Sequence, residues 1–316
     1  EWWYLTGLVS DASGERFGVQ ITFFRQGLDP SPPEPGSSAL RARQVVAAHL
    51  AVADIGRQRF LHAERVRRTA GGMAGYSEDE PRVWVEDWEM VPGSAAGMRL
   101  RAADRAASVA VTLTATPSRD LVLHGFNGYS QKGEEAGNAS MYTSWTRLAL
   151  EGELELGGRV VSVRGTAWFD HEWGSSQLGE AVVGWDWFSL RLDDGRDLMV
   201  YRLRRADGSP DRYSSGTLVE SDGSVRHLNV DEVGVDAADW WKSPATGATY
   251  PARWRLQVPA EDIDLEVRTL VAACEVDGTA STGVVYWEGP VEVSGSHSGE
   301  GYAELTGYAS SLQGRF

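Results

Sequence analysis

Cysteine is nearly missing from this chain. Cys274 is the only one in 316 residues, so an intrachain disulfide and a cysteine-based zinc site are both excluded. Histidine is scarce too, with six residues and no His-x-x-x-His pair. Basic residues are the minority, 30 Lys and Arg against 45 Asp and Glu, for a net charge of -15. That balance argues against a nucleic-acid or anionic-membrane partner, which would need a basic stripe. No apolar run approaches membrane-spanning length, so stable membrane insertion is not expected. A Gly-x-Ser-x-Gly elbow and the glycine patterns of nucleotide-binding loops are also missing.

What is present is tryptophan and β pattern. Hydrophobic residues make up 42% of the chain and thirteen are tryptophan, enough for a substantial core. Val19–Phe24, Val83–Val85, Ser108–Leu113, Leu148–Leu156 and Leu198–Leu203 alternate or run apolar, separated by Gly/Asp turns such as Asp193-Asp194-Gly195 and Asp277-Gly278. Many short strands at such spacing indicate a sandwich or barrel. Two stretches, Asp54 to Arg68 and Val230 to Lys242, read as short helices. Asp29 to Pro35 is proline-rich and reads as a surface loop, and Cys274 reads as a buried strand thiol.

A weak repeat divides the chain. Glu1-Trp2-Trp3-Tyr4-Leu5-Thr6-Gly7-Leu8 leads through Gly14 into Val19–Arg25, as Trp185–Leu190 leads through Gly195 into Leu198–Arg204. Trp145, Gly152 and Gly165-Thr166-Ala167-Trp168 parallel Trp287, Gly295 and Gly301–Leu305. This pattern predicts two tandem β domains, residues 1–176 and 177–316.

The chemistry concentrates in Trp168-Phe169-Asp170-His171-Glu172-Trp173-Gly174 and Gly184-Trp185-Asp186-Trp187-Phe188-Ser189-Leu190. Both place ionisable groups among tryptophans in strand-like segments, where they are costly unless paired or used. By alternation Asp186 shares a face with Phe188 and Leu190, opposite Trp185 and Trp187. His171 shares a face with Phe169 and Trp173, opposite Asp170, Glu172 and Trp168. A carboxylic acid in an apolar, indole-lined cavity stays protonated and can act as a general acid. Asp186 is the expected acid; the alternative is an aspartate bonded to backbone or to an arginine such as Arg202. His171 is expected to orient the acid or handle water, or else to be a hydrogen-bonded structural histidine. Trp3, Asn127, Tyr129 and Tyr142 lie in aromatic or polar–aromatic stretches that suit a cavity wall. Alternation splits Asp170, His171 and Glu172 between faces, so no metal is expected, and no motif calls for a cofactor.

These segments, with Tyr142–Leu148, Tyr286-Trp287-Glu288-Gly289 and Gly301–Tyr308, resemble the carotenoid 1,2-hydratase and AttH family of two-domain lipocalin-like proteins. The resemblance spans nearly the whole chain. It implies two lipocalin-like β-barrel or sandwich domains with a hydrophobic cavity at or near their interface. It also implies a cofactor-independent, hydratase-type lyase acting on a C=C bond of an isoprenoid or polyene. By motif match Asp186 and His171 would be catalytic, with Trp173 beside them; Trp173, Trp185 and Tyr142 are expected to line the cavity. A non-catalytic carrier of a hydrophobic ligand and a Diels–Alder-type cyclase are the alternatives the family offers. The start at Glu1, without methionine, suggests loss of an N-terminal segment and favours an exported location over a cytoplasmic one.

Overall fold

Strands Trp2–Ser10 and Val182–Leu192 are buried along most of both faces, unlike Val109–Pro117, which alternates between buried and open positions. A strand with two buried faces needs a layer on each side. In the computed structural model, which describes residues 1–29, 31, 38, 41–79, 81–93, 97–135, 137–175 and 178–313, those layers are visible. The described strands form two curled sheets, thirteen strands within residues 2–173 and ten within residues 182–305. Trp3, Leu5 and Val9 point into the core of the first sheet, while Tyr4 and Leu8 point the other way. There they meet Trp187, Met199, Tyr201, Leu203 and Tyr302 from the second sheet. Phe188, Leu190 and Leu192 fill the second sheet's own core. Each fully buried large apolar side chain contributes about 1.5–3 kcal/mol.

The two sheets are wired alike. Trp2–Ser10 lies between Arg16–Gly27 and the last strand of its sheet, Arg159–Trp173. Val182–Leu192 lies between Asp197–Arg205 and the last strand of its sheet, Gly299–Leu305. The matching glycines Gly152 and Gly295 both have positive φ, 145° and 114°. A Cβ on either would sit 2.1 Å from Thr112 O or 2.4 Å from Asp264 O in the neighbouring strand. Where the sheets touch, a Cβ on Gly18 would fall 2.4 Å from the Tyr302 hydroxyl. Polar anchors complete the contact: buried Asp197 accepts hydrogen bonds from Thr146 at 2.8 Å, Arg147 at 2.7 Å and Arg119 at 3.1 Å, all from the first half of the chain.

The expected helices are not formed. Asp54 to Arg68 is a turn followed by strand Arg59–Arg68, whose whole length pairs with Gln44–Asp54. Val230 to Lys242 begins with a 3-10 turn, Val230–Glu232, and continues as edge strand Gly234–Lys242 on Thr249–Val258. Sheet pairing overrides the local helical spacing in both. Cys274 is buried, but in the loop before strand Glu275–Gly278. The proline-rich stretch lies largely outside the described residues. Among the described residues no helix is long and apolar enough to cross a membrane.

Candidate active site

Between the two sheets lies a cavity of about 150 Å³. Strand alternation decides what enters it. From Arg159–Trp173 come Asp170 and Glu172, and from Val182–Leu192 come Trp185 and Trp187. Tyr4, Tyr142, Tyr201 and Tyr286 add aromatic wall, and Lys132, Glu288 and Glu304 complete the ionisable groups.

Asp170 is the centre of a hydrogen-bond network. Tyr142 donates to its Oδ2 at 2.7 Å, Trp168 Nε1 donates to Oδ1 at 2.5 Å, and Ser144 donates to the same oxygen. Trp187 Nε1 in turn donates to the Tyr142 hydroxyl at 3.0 Å. Burial pushes the Asp170 carboxyl up to about 7; the three donors oppose that shift, and the charge of Glu172 adds to it. Burial, with the Asp170 charge next, drives the Tyr142 phenol upward, so it stays neutral and able to donate. Behind the cavity, His124 Nε2 meets Ser144 Oγ at 2.6 Å and Nδ1 meets Thr217 Oγ1 at 2.9 Å. Ser144 spends its proton on Asp170, so Nε2 must carry the imidazole hydrogen and Nδ1 must accept from Thr217. Complete burial lowers His124 to about 3, which keeps the ring neutral.

Glu172 is held differently. Lys132 forms an ion pair with it and Ser140 donates to it. The Lys132 ammonium also lies 5.1 Å from the ring centres of Tyr142 and Tyr201 and 5.9 Å from that of Trp2. It is a buried cation boxed in by aromatic faces.

The residues expected from sequence divide into three groups. Tyr142 and Trp185 line the cavity. Asp186 is buried on the opposite face of its strand, accepting from Arg204 Nε at 3.0 Å and Tyr308 at 2.9 Å, with Arg202 at 4.0 Å. Burial raises its carboxyl, while Arg204, Tyr308 and Arg202 pull it back. His171 is on the face away from the cavity, stacked between Trp3 at 5.1 Å and Trp173 at 4.5 Å, with its Nε2 2.9 Å from the Glu1 carboxylate. Asn127 is exposed on a turn, and Tyr129 is exposed at the start of the short strand Tyr129–Gln131. Cavity groups that were not singled out include Lys132, Asp170, Glu172, Glu288 and Glu304. The readable signal for Asp170 and Glu172 was that they share a face with Trp168. Among the described residues no group of three or more His, Cys, Asp or Glu is arranged to hold a metal ion.

Two curled antiparallel sheets enclosing an aromatic, carboxyl-bearing cavity define a lipocalin-like all-β protein. The chain matches the AttH-like family over residues 1–308 and belongs to it. Its structure is similar to that of an AttH protein from Nitrosomonas europaea, with a TM-score of 0.84 and 34% identity over 97% of this chain and 92% of that one. It is also similar to kievitone hydratase from Nectria haematococca, with a TM-score of 0.76 and 14% identity over 98% of this chain and 89% of that one. At that identity the second likeness is one of fold. No protein of curated function matches the chain.

Proposed function

We propose that this protein is a cofactor-independent enzyme that adds water to, or removes it from, a carbon–carbon double bond of a hydrophobic, isoprenoid-like ligand. The observation that carries this reading is Asp170, a carboxyl group near pKa 7 inside an indole-walled cavity. A group of that strength can both give and take a proton near neutral pH. Protonating an alkene leaves a carbocation, and the faces of Trp185 and Trp187 together with the Asp170 carboxylate suit its charge. The cavity matches the roughly 150 Å³ that accepts a benzene-sized guest, so it would take one branched five-carbon head while the rest of a longer molecule extends outward. That kievitone hydratase shares the fold agrees with this reading.

The test uses a phenol carrying a dimethylallyl group, incubated with the full chain in isotope-labelled water. The expected product is heavier by one labelled water with the natural sequence and does not form with Asp170→Asn. Tight binding without product would replace the enzyme by a carrier. A product of unchanged mass from a linear polyene would replace hydration by cyclisation.

A further inference from the structure

A second pair of acids faces the same cavity. Strands Val284–Gly295 and Gly299–Leu305 pair Glu288 with Glu304 as direct cross-strand partners, and both side chains reach the cavity wall. Like charges directly opposite each other are destabilising, and two carboxyl groups in one dry site do not both ionise. The nearby cation does not neutralise them, because Lys132 is paired with Glu172. Glu288 is buried, and its Oε1 finds no hydrogen-bond partner among the described residues. The buried Tyr4 hydroxyl lines the same cavity and lies against Glu288, where its hydrogen bonding tends to hold that carboxyl down. A carboxyl oxygen left short of partners on a cavity wall is one that a bound molecule can satisfy.

We propose that Glu288 and Glu304 share one proton and are the proton donor to the bound alkene, with Asp170 receiving the proton of the attacking water. This rests on the hydratase reading above. The shared carboxyl O–H bond breaks, and the alkene's π electrons form the new C–H bond. A lone pair of water then forms the C–O bond, and the water's second O–H electron pair stays on oxygen as its proton passes to the Asp170 carboxylate. Return of that proton to the pair, directly or through water, restores the starting state. Tyr4 and Glu288, side by side on the wall, suit the hydrogen bonds of the incoming water or of the product hydroxyl.

The order of acidities supports this division. Burial and the Glu304 charge drive Glu288 well above the usual carboxylate range, and hydrogen bonding from Tyr4 opposes the shift. Burial raises Glu304 to about 8; hydrogen bonding from Trp185 and the charge of Lys132 oppose the shift, and Asp170 and Glu172 add to it. Asp170, with its three donors, releases its proton first. The other groups facing the pair are Tyr4, Tyr286, Tyr302 and Cys274, all pushed towards their neutral forms by burial.

Infrared difference spectroscopy on the unligated full chain tests the pair without needing a substrate. A carboxyl C=O band should persist at neutral pH and bleach on going alkaline. Glu288→Gln and Glu304→Gln should each remove the like charge and move the remaining midpoint down by about one pH unit or more. Absence of any carboxyl titrating above neutrality, or an unchanged midpoint in both variants, would overturn the pair. With the dimethylallyl phenol in deuterated water, both variants should place deuterium on carbon roughly 100-fold more slowly or worse. Full-rate deuteration by both variants overturns the donor role while hydration stands. A natural chain that shows the band but never hydrates the phenol overturns the hydratase reading, and the donor role with it.

Discussion

Trp187 donates its indole N–H to the Tyr142 hydroxyl at 3.0 Å, joining the two sheets through a group that also donates to Asp170. One phenol therefore ties the assembly of the cavity to the acidity of its central carboxyl. Tyr142→Phe strands the indole N–H and removes one of the three donors from Asp170. Leaving a buried polar group unpaired costs about 1–3 kcal/mol. Urea unfolding should show a loss of that size. The pH profile of turnover should also move to higher pH, because the lost donor had been lowering the Asp170 pKa. An unmoved profile would separate Tyr142 from the chemistry.

Asp186→Asn distinguishes the two aspartates that strand alternation puts on opposite sides. Asp186 is buried with Arg204 and Tyr308 and lies outside the cavity. Removing one partner of a buried ion pair costs about 3–5 kcal/mol, and retention of an amide oxygen should keep the loss towards the lower end. The expected outcome is a lower unfolding midpoint with turnover per folded molecule within about threefold of the natural chain. Loss of turnover at full folded population would return the acid role to Asp186.

Stability should fall as pH rises through neutrality. Asp170 and Glu304 have folded-state values of about 7 and about 8. In the unfolded chain both return to about 4. Between those limits the folded state binds more protons than the unfolded one, so these groups favour folding at low pH and lose that effect as pH climbs through the folded values. His49 and His124, lowered to about 3 by burial, oppose this trend below their unfolded value of 6.5. Unfolding free energies should therefore decline from there up to about 8, and Glu304→Gln and Asp170→Asn should each flatten the decline. A steeper decline in either variant would contradict the assignment.

Alternation alone located the faces of Trp185–Leu190 and of Trp168–Trp173, and the structure keeps those faces. It could not say which face would meet the other sheet. The aliphatic side, with Phe188 and Leu190, is an ordinary sheet core; the indole side is the cavity. An aspartate beside aliphatic residues and an aspartate beside tryptophans look equally buried in one dimension, and only the packing of the second sheet separates them. Lys132 was less legible still. It follows the short strand Tyr129–Gln131, with no periodicity to mark it, and its role comes from contacts with Glu172, Tyr201 and Trp2 far away in sequence. The two misread helices have the same origin, since cross-strand pairing is non-local information.

Lys132 offers the sharpest check on how the cavity tolerates charge. Its ammonium and the Glu172 carboxylate are both buried and pair directly. Lys132→Met leaves Glu172 without its cation beside Asp170, and breaking such a pair costs about 3–5 kcal/mol. The double variant Lys132→Met with Glu172→Leu removes both charges and keeps the volume, so it should recover most of the lost stability. The four-way cycle is read by urea unfolding. Recovery in the double variant, together with lost ligand capture, would show that the pair serves the cavity rather than the fold. No recovery would mean that the aromatic box around Lys132, formed by Trp2, Tyr142 and Tyr201, needs the cation itself to hold its shape.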